Sequence, residues 1–380
     1  MEAMTGRTIA IDASMCMYQF LVAVRQGDAQ VNLSNAAGDV TSHIQGFLSR
    51  TVRLLELGIK PVFVFDGKPP EMKRETLASR AERKVEADAD LAAALEGGDA
   101  EEIRKAAHRT ARATPQMNAD VQRLLRLLGC PVVMAPSEAE ASCAALCKAG
   151  LVYASATEDM DALTFGTPVM LKNLFDTESS RTGTKRPVWE VKLETMLAQL
   201  DVTMDAFIDF CILCGCDYCG TVRGVGPSTA FKLIKTHGSI EKAMASLAAA
   251  KGAPSDEMRY ADARELFRSP EVLDPAAISL SWATPDYAGL RDFLVTTHSF
   301  SEARVAKVIE RLKASRMAGQ QTRLDAFFRV GAPKAVPTDA KFDPFKKRAA
   351  GAASASGAGK RTAGAHSRGT SGSQGKRPRK

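Results

Sequence analysis

The fold is indicated most clearly by residues 8–15, which read TIAIDASM. A short apolar run ends at Asp12, and apolar residues at helical spacing follow it. Three further apolar runs precede polar or acidic residues, at 61–65, 132–134 and 152–156. Continuous apolar strands that alternate with helices are typical of a parallel sheet covered on both faces. The sequence therefore predicts an α/β fold with a parallel-rich central sheet, and helices at roughly 15–25, 43–57, 71–95 and 138–149.

Acidic residues recur at the carboxyl ends of these predicted strands, where open α/β sheets place their ligand crevice. Each acid taken alone has an ordinary structural explanation. Asp12 and Asp66 suit turns or helix caps, and Ser137 with Glu140 has the pattern of a capping box. The remaining acids would be ordinary solvated loop residues.

Taken together, the acids form a set of seven: Asp12, Asp66, Glu138, Glu140, Asp159, Asp161 and Asp217. If they converge, their mutual repulsion must be relieved by cations. Oxygen ligands without histidine or cysteine select Mg²⁺ or Mn²⁺. Two such ions about 4 Å apart suit phosphodiester hydrolysis, in which one activates water and the other stabilises the leaving oxygen. The five histidines lie outside these segments, which gives histidine acid–base chemistry little support.

The charge is divided unevenly along the chain. Residues 331–380 hold twelve Lys/Arg and two Asp, a net +10 against +7 for the whole chain, so the first 330 residues carry −3. This tail is rich in Gly, Ala and Ser and cannot bury enough apolar surface to fold, which predicts a disordered basic tail. Its basic clusters at 346–348 and 376–380 are typical of nuclear-import signals or nucleic-acid contacts.

The eight cysteines do not form a disulfide framework and indicate a reducing compartment. Four of them are closely spaced: Cys211, Cys214, Cys216 and Cys219. A zinc or iron–sulfur site would need separated pairs, so buried thiols are the favoured interpretation. No apolar run approaches membrane-spanning length, and no membrane association is expected.

Five short blocks resemble the eukaryotic flap endonucleases of the XPG/Rad2 nuclease superfamily. The blocks are IDASM at 11–15, VFDGKPP at 64–70, APSEAEA at 135–141, ATEDMD at 156–161 and GCDYC at 215–219. The resemblance runs from about residue 8 to 328, with the blocks in the family's order. It implies one Mg²⁺ held by Asp12, Asp66, Glu138 and Glu140, and a second held by Asp159, Asp161 and Asp217, with Mn²⁺ as a substitute.

The resemblance also implies the activity. Members cut 5′ flaps at single-strand/duplex junctions by two-metal hydrolysis, have 5′→3′ exonuclease activity, and serve Okazaki-fragment maturation and long-patch base-excision repair. The charged segment 71–112, split by two glycines at 97–98, would be the helical arch that the flap passes through. Lys73 and Arg80 share a helical face and would stabilise the attacked phosphate. Arg83 and Lys84 would extend that field.

Other positions match DNA contacts of the family. Tyr18 would stack on a base near the scissile bond. The helix-two-turn-helix near 223–237 would grip the duplex, with a potassium ion as a further expectation. The full set of expected DNA contacts is Tyr18, Arg25, Arg50, Arg83, Glu138, Gly215, Asp217, Gly224 and Gly226. Ser228 stands where members usually have a basic residue, and Lys232 and Lys235 would compensate.

The segment 320–328 fits the peptide that binds the sliding clamp PCNA, through Gln321, Leu324, Phe327 and Phe328. The three apolar side chains would form one plug for a partner pocket, although packing onto the body would suit them too. We expect a monomer in the nucleus, with the nucleolus and mitochondrion as further compartments. The expected divisions are an N-terminal nuclease region at 1–84, the rest of the arch at 85–101, an internal nuclease region at 102–237, a helical part at 238–319, the clamp peptide and the tail.

The family also has an N-terminal segment starting Met-Gly-Ile that this sequence does not show. Its loss predicts an alternative, a catalytically impaired, clamp-tethered DNA-junction binder. A ribonuclease with a similar acidic sheet is a further alternative. The seven intact carboxylates favour the nuclease, and the clamp peptide with the Gly-x-Gly-Pro motif favours DNA.

Overall fold

The structure is a computed structural model, and it describes residues 2–23, 25–26, 31–35, 38–110, 112–175, 186–251 and 258–317. Its strands within these ranges are β1 (Thr8–Asp12), β2 (Arg25–Gln26), β3 (Val31–Asn32), β4 (Lys60–Phe65), β5 (Val132–Met134), β6 (Ala154–Ala156), β7 (Val169–Lys172) and β8 (Trp189–Lys192). Its α-helices there are α1 (Ala13–Ala23), α2 (Ser42–Glu56), α3 (Arg74–Gly97), α4 (Ala100–Arg109), α5 (Pro115–Leu127), α6 (Ala139–Lys148), α7 (Asp161–Thr164), α8 (Leu193–Leu200), α9 (Met204–Cys214), α10 (Pro227–His237), α11 (Ile240–Lys251), α12 (Tyr260–Arg268), α13 (Tyr287–Arg291) and α14 (Glu302–Met317).

The central sheet has the strand order β5-β4-β1-β6-β7-β8. Its first five strands in that order pair in parallel, and β8 pairs antiparallel with β7. The predicted parallel-rich sheet is therefore confirmed, and β7 and β8 are additions that the sequence did not indicate. The chain moves outward from β1 to β4 and β5, and then crosses to β6 on the other side of β1. The carboxyl end of β1 is thus the switch point where α/β sheets bind ligands.

Both faces of the central strands β1, β4 and β6 are buried, and alternate residues of each strand point to opposite sides. Ile9 and Ile11 pack in the core under α1, α2, α5 and α14. Ala10, between them, belongs to a second core beneath α6. A third apolar group joins α9, α10 and α12, and its largest buried side chains include Phe165, Tyr218 and Phe267. The predicted helices on both faces are confirmed.

Residues 71–110 of the charged segment fold as the predicted helical hairpin, called the arch below. Gly98 ends α3 in the left-handed conformation (φ 73°), which favours glycine. The Asp99 side chain then accepts hydrogen bonds from two backbone N–H groups at the start of α4. An ion pair of Arg109 with Asp90 joins the two helices, and Arg112, beyond the end of α4, pairs with Asp88 of α3. Most of the charges nevertheless face solvent.

No helix in the described ranges combines the length and apolar character that crossing a bilayer would require.

Candidate active site

The carboxyl ends of β1 and β4 place two of the predicted acids side by side. Asp12 is the last residue of β1 and is 1% exposed, and Asp66 directly follows β4. The Met15 backbone N–H donates a 2.9 Å hydrogen bond to the Asp12 carboxylate. Asp12 therefore caps the first turn of α1 and still faces the sheet edge, so its structural and functional interpretations are compatible.

The start of α6 corrects one prediction from the sequence. The helix has Glu138 at its N-cap, and no side-chain cap bond comes from that residue. Instead the Ala139 N–H donates a 2.8 Å hydrogen bond to the Asp66 carboxylate. The predicted capping box of Ser137 and Glu140 is wrong, because an acid distant in sequence accepts the N-terminal N–H. Glu140 is therefore not part of a capping box and belongs to the acidic cluster.

The loop after β4 approaches the loop after β5 very closely, and Gly67 makes this possible. Its N–H donates a 2.7 Å hydrogen bond to the Ser137 carbonyl. A Cβ at this position would lie 2.1 Å from the Ala135 carbonyl oxygen, which no side chain tolerates. Gly67 therefore fixes Asp66 beside Glu138. The Asp-Gly pair in the sequence indicated a turn but not this contact.

The remaining acids complete the acidic cluster, which we define as Asp12, Asp66, Glu138, Glu140, Asp159, Asp161 and Asp217. Asp159 and Asp161 lie in the loop after β6, where the Asp161 N–H donates to the Asp159 carboxylate at 3.0 Å. The Thr157 hydroxyl connects this loop to Asp12 at 3.4 Å. Asp217 follows α9. It is connected to the other acids through Lys73, which contacts both Asp217 and Glu138.

The electrostatics of the cluster show that its members crowd one another. Burial, followed by the charge of Asp66, raises the pKa of Asp12 to about 7. Burial and then the charge of Asp159 raise the pKa of Asp161 to about 7. The pKa of Glu140 is well above its usual range, chiefly through burial and the neighbouring Asp12. Such a set holds protons near neutral pH unless cations replace them.

Two side chains of the arch base supply positive charge to the cluster. Lys73 Nζ lies 2.5 Å from a Glu138 carboxylate oxygen and 3.3 Å from Asp217. Burial disfavours the Lys73 charge, but the contacts with Glu138 and Asp217 outweigh it and raise the Lys73 pKa. An Arg80 nitrogen contacts both Asp217 carboxylate oxygens, at 2.7 and 2.9 Å. The predicted pair of cations therefore lies at the acidic cluster.

Thr76, on the first turn of α3, is a contact that the sequence reasoning missed. Its hydroxyl donates a 2.9 Å hydrogen bond to the Asp217 backbone carbonyl. The threonine lies between Lys73 and Arg80 in a run of charged and polar residues, and nothing in that pattern distinguishes it. The spacing of three residues from Lys73, on the same helical face, is the one available signal.

The donor set fits hard divalent cations, since it consists of carboxylate oxygens. Within the described part of the chain, no three Asp, Glu, His or Cys side chains are yet arranged to hold a metal ion. Instead, the positive charges of Lys73 and Arg80 offset part of the negative charge. The raised pKa values of the acids favour their protonated, uncharged forms. The fit therefore rests on the chemistry of the donors and on their unrelieved repulsion.

The predicted DNA contacts lie on several elements of the fold. Tyr18 on α1 is 52% exposed. The Arg50 guanidinium lies 4.9 Å from the Phe20 ring centroid and is partly buried. Arg83 is exposed on α3 and lines a groove with Arg80 and Asp217. The backbone of Arg25 lies in β2, and its side chain is outside the described residues.

Three predicted glycines lie in the segment from α9 to α10. Gly215 has φ 107°, a conformation that only glycine adopts readily. Gly224 also has a positive φ, of 78°, and Gly226 precedes the first turn of α10. A Cβ at Gly224 or Gly226 would meet open space, so the backbone here is accessible. The predicted clamp peptide, with Gln321, Leu324, Phe327 and Phe328, and the tail lie outside the described residues.

Comparisons with known proteins agree with this geometry. A model of the XPG N-terminal domain matches residues 1–87, and a model of the XPG I-region matches residues 129–217. Flap endonuclease 1 of Glycine max is 50% identical over 344 residues, covering 90% of this chain and 89% of the relative. Flap endonuclease 1 of Ostreococcus lucimarinus is 52% identical over 329 residues, covering 86% and 83%.

Solved structures agree with the sequence comparisons. Flap endonuclease-1 from Methanococcus jannaschii superposes with a TM-score of 0.65 at 34% identity, covering 83% of this chain and 95% of that one. The catalytic core of Rad2 in complex with DNA substrate gives a TM-score of 0.63 at 28% identity, with coverage of 82% and 94%. The chain therefore belongs to the flap endonuclease family.

Proposed function

We propose that this chain is a metal-dependent, structure-specific 5′-flap endonuclease with 5′→3′ exonuclease activity. The observation that carries the proposal is the acidic cluster, seven carboxylates at the switch point of the sheet with Lys73 and Arg80 beside them. Family membership supports the same activity. Okazaki-fragment maturation and long-patch base-excision repair are the processes we propose for it. The comparisons do not favour the alternative of an impaired junction binder.

The acidic cluster would hold two Mg²⁺ ions, with Mn²⁺ as a substitute. Asp12, Asp66, Glu138 and Glu140 would hold one, and Asp159, Asp161 and Asp217 the other. When bound, the ions supply Lewis-acid stabilisation of the phosphate and lower the pKa of water. The chain's own contribution is to fix the carboxylates. The Ala139 N–H holds Asp66, the Met15 N–H holds Asp12, and the Thr76 hydroxyl holds the backbone of Asp217.

Lys73 and Arg80 would act on the phosphate itself. Both now contact carboxylates, and their donors equally suit the non-bridging oxygens of a phosphodiester. With the carboxylates occupied by metal ions, Lys73 and Arg80 would be free to bind the scissile phosphate. Arg80 has a side chain that is 50% exposed and lines the groove at the arch base, so it is accessible to a phosphate in that groove.

The surrounding surface would position the substrate. The exposed ring of Tyr18 suits stacking on an unpaired base. Arg50, Arg83 and Arg25 would contact phosphates, and Gly215 would allow the DNA close to Asp217. The open backbone at Gly224 and Gly226, at the N-terminus of α10, suits a duplex phosphate. A K⁺ ion bound by backbone oxygens of the helix-two-turn-helix is part of the same proposal. We further propose a nuclear monomer that binds PCNA through residues 320–328.

Cleavage of an end-labelled 5′-flap junction by the purified protein tests the proposal, with Mg²⁺ and then with EDTA. The matched substrate control is a junction of the same length that carries a 3′ flap instead of a 5′ flap. We expect a Mg²⁺-dependent cut near the junction of the 5′ flap alone. No cut with Mg²⁺, or equal cutting of both flaps, would refute the assignment.

A further inference from the structure

Two thiols face each other across the turn that carries Asp217. The Sγ atoms of Cys216 and Cys219 are 3.6 Å apart, and the two residues pair as an isolated antiparallel bridge. Both are partly buried, and both are free thiols. Neither has a part in the proposed chemistry. Both lie beyond the end of α9 at Cys214, and both pack partly against the third apolar group.

The geometry of the pair is close to that of a disulfide. Residues paired across an antiparallel bridge have Cα atoms about 4.5–5.5 Å apart, within the usual range for a disulfide. The sulfurs need to approach by about 1.5 Å to reach the bond length of about 2.05 Å. Cys219 lines the groove at the arch base, so a small oxidant can reach it.

We propose that Cys216 and Cys219 form a reversible disulfide that displaces Asp217 and lowers the nuclease activity. This inference rests on the proposed role of Asp217. The oxidant is a hydroperoxide. One thiolate attacks its oxygen to give a sulfenic acid and water, and the second thiol displaces a further water as the S–S bond forms. Each disulfide thus consumes one H₂O₂, and a dithiol reverses the reaction.

Closing the S–S bond reorients both cysteine side chains within the turn, and Tyr218, one of the two residues between them, is held in place. The buried Tyr218 ring packs against Phe165 and Phe267, with ring centroids 6.3 and 5.2 Å away. Any backbone adjustment that accompanies the bond therefore falls on Asp217 rather than on Tyr218. That backbone accepts the Thr76 hydroxyl, and its side chain contacts Arg80, so small shifts are transmitted to the arch base. Displacements of about 1 Å at a catalytic site cost up to about 100-fold in rate.

This position suits a redox-sensitive device. Disulfides in reducing compartments are usually transient and regulatory. The bond would close a very small ring within one turn and would connect no separate parts of the fold. It would therefore add little to global stability and act locally, on a residue of the acidic cluster.

The test uses the full chain, exposed to H₂O₂ without metal and then divided. One part is digested, and mass spectrometry shows whether the peptide that contains both cysteines has lost two hydrogens. The other is assayed for flap cleavage and for Mn²⁺ binding by electron paramagnetic resonance, before and after dithiothreitol. We expect the disulfide, a 10- to 100-fold loss of cleavage, weaker Mn²⁺ binding, and recovery on reduction. Cys219→Ser should resist the oxidant, whereas Cys130→Ser, a buried thiol elsewhere, should remain sensitive.

Cys216→Ser provides the same test if Cys219→Ser does not fold. A disulfide with unchanged cleavage and Mn²⁺ binding would overturn the inference, and so would inactivation of wild type and Cys219→Ser to the same degree. If the reduced protein does not cut at all, the proposed function fails. The disulfide yield and Mn²⁺ binding then still decide whether the bond forms and moves Asp217.

Discussion

The Thr76 hydroxyl donates a 2.9 Å hydrogen bond to the backbone carbonyl of Asp217, joining residues 141 positions apart in sequence. Thr76 lies on the first turn of the arch, and Asp217 belongs to the acidic cluster. Lys73 and Arg80, on either side of Thr76, contact the Asp217 side chain. The base of the arch and one member of the acidic cluster are therefore held together by three neighbouring residues.

We expect Thr76→Val to slow flap cleavage about 5-fold. The substitution keeps the shape of the side chain and leaves the Asp217 carbonyl without its donor, at a cost of about 1 kcal/mol. Single-turnover cleavage under saturating Mg²⁺ measures the effect. Val85→Thr is the matched control, since it is the reverse exchange on the same helix at a side chain that is 71% exposed. Equal rates for wild type and Thr76→Val would show that the bond does not position Asp217.

Binding of Mg²⁺ should stabilise the protein more at about pH 8 than at about pH 6. The folded pKa values of Asp12 and Asp161 are raised to about 7, above the ordinary value of 3.8. The stability that the two protonated carboxyl groups contribute to the fold is therefore fully present below about pH 4. It is lost as the pH rises through 7, where both groups become charged. Mg²⁺ offsets that charge and competes with protons below pH 7. Thermal unfolding with and without Mg²⁺ at the two pH values is the measurement.

The Asp12→Asn variant is the control for this pH dependence, because it removes one titrating group and one proposed ligand. Its gain in Tm on adding Mg²⁺ should be smaller than that of the wild type at pH 8. A wild-type gain that is the same at both pH values would contradict proton-coupled binding at the acidic cluster.

Acid should destabilise the fold through a buried histidine. Burial, followed by the charge of His298, lowers the pKa of His43 to about 4. The neutral ring stabilises the fold fully above the unfolded pKa of about 6.5, and this effect is lost as the pH falls toward 4. Wild type should therefore lose about 2 kcal/mol between pH 7 and 5 that His43→Leu does not lose. Urea unfolding at both pH values measures it, with His237→Gln, a partly exposed histidine, as control. The same loss in His43→Leu would exclude His43 as the cause.

Two ion pairs between α9 and α12 should differ greatly in their contribution to stability. Asp209 is 3% exposed and contacts Arg264 at 2.6 Å, whereas Asp205 and Arg268 form an exposed pair at 2.8 Å. Arg264→Ala leaves a buried carboxylate without its cation and should cost about 3–5 kcal/mol. Arg268→Ala should cost less than about 1 kcal/mol. Denaturant unfolding compares them, and similar losses would show that Asp209 is not held as a buried charge.

The sequence predicted the part of the site that depends on local pattern. The apolar runs before Asp12 and Asp66 identified parallel strands, and parallel strands bring their carboxyl ends to one edge. The edge strand β8 gave no such signal, because Trp189 and its neighbours are mostly exposed and lack a buried run. Strand β7 was missed with it.

Contacts between distant segments could not be predicted in the same way. The local pattern at the start of α6 favoured Ser137 as its cap, but Asp66 accepts the N–H across 73 positions. Thr76 contacts Asp217 across 141 positions, and no periodicity encodes either contact. The roles of the individual acids remain predictions until they are tested by substitution.

The most direct test of the account compares Asp161→Asn with the wild type in two assays, flap binding and single-turnover cleavage. Glu310→Gln, an exposed acid on α14, is the matched control. The account predicts that Asp161→Asn binds the junction nearly as well as wild type. Its cleavage rate should fall more than about 10³-fold, beyond the 10- to 100-fold typical of residues that only support metal ligands. Cleavage by Asp161→Asn at the wild-type rate would contradict the assignment of the acidic cluster as the catalytic centre.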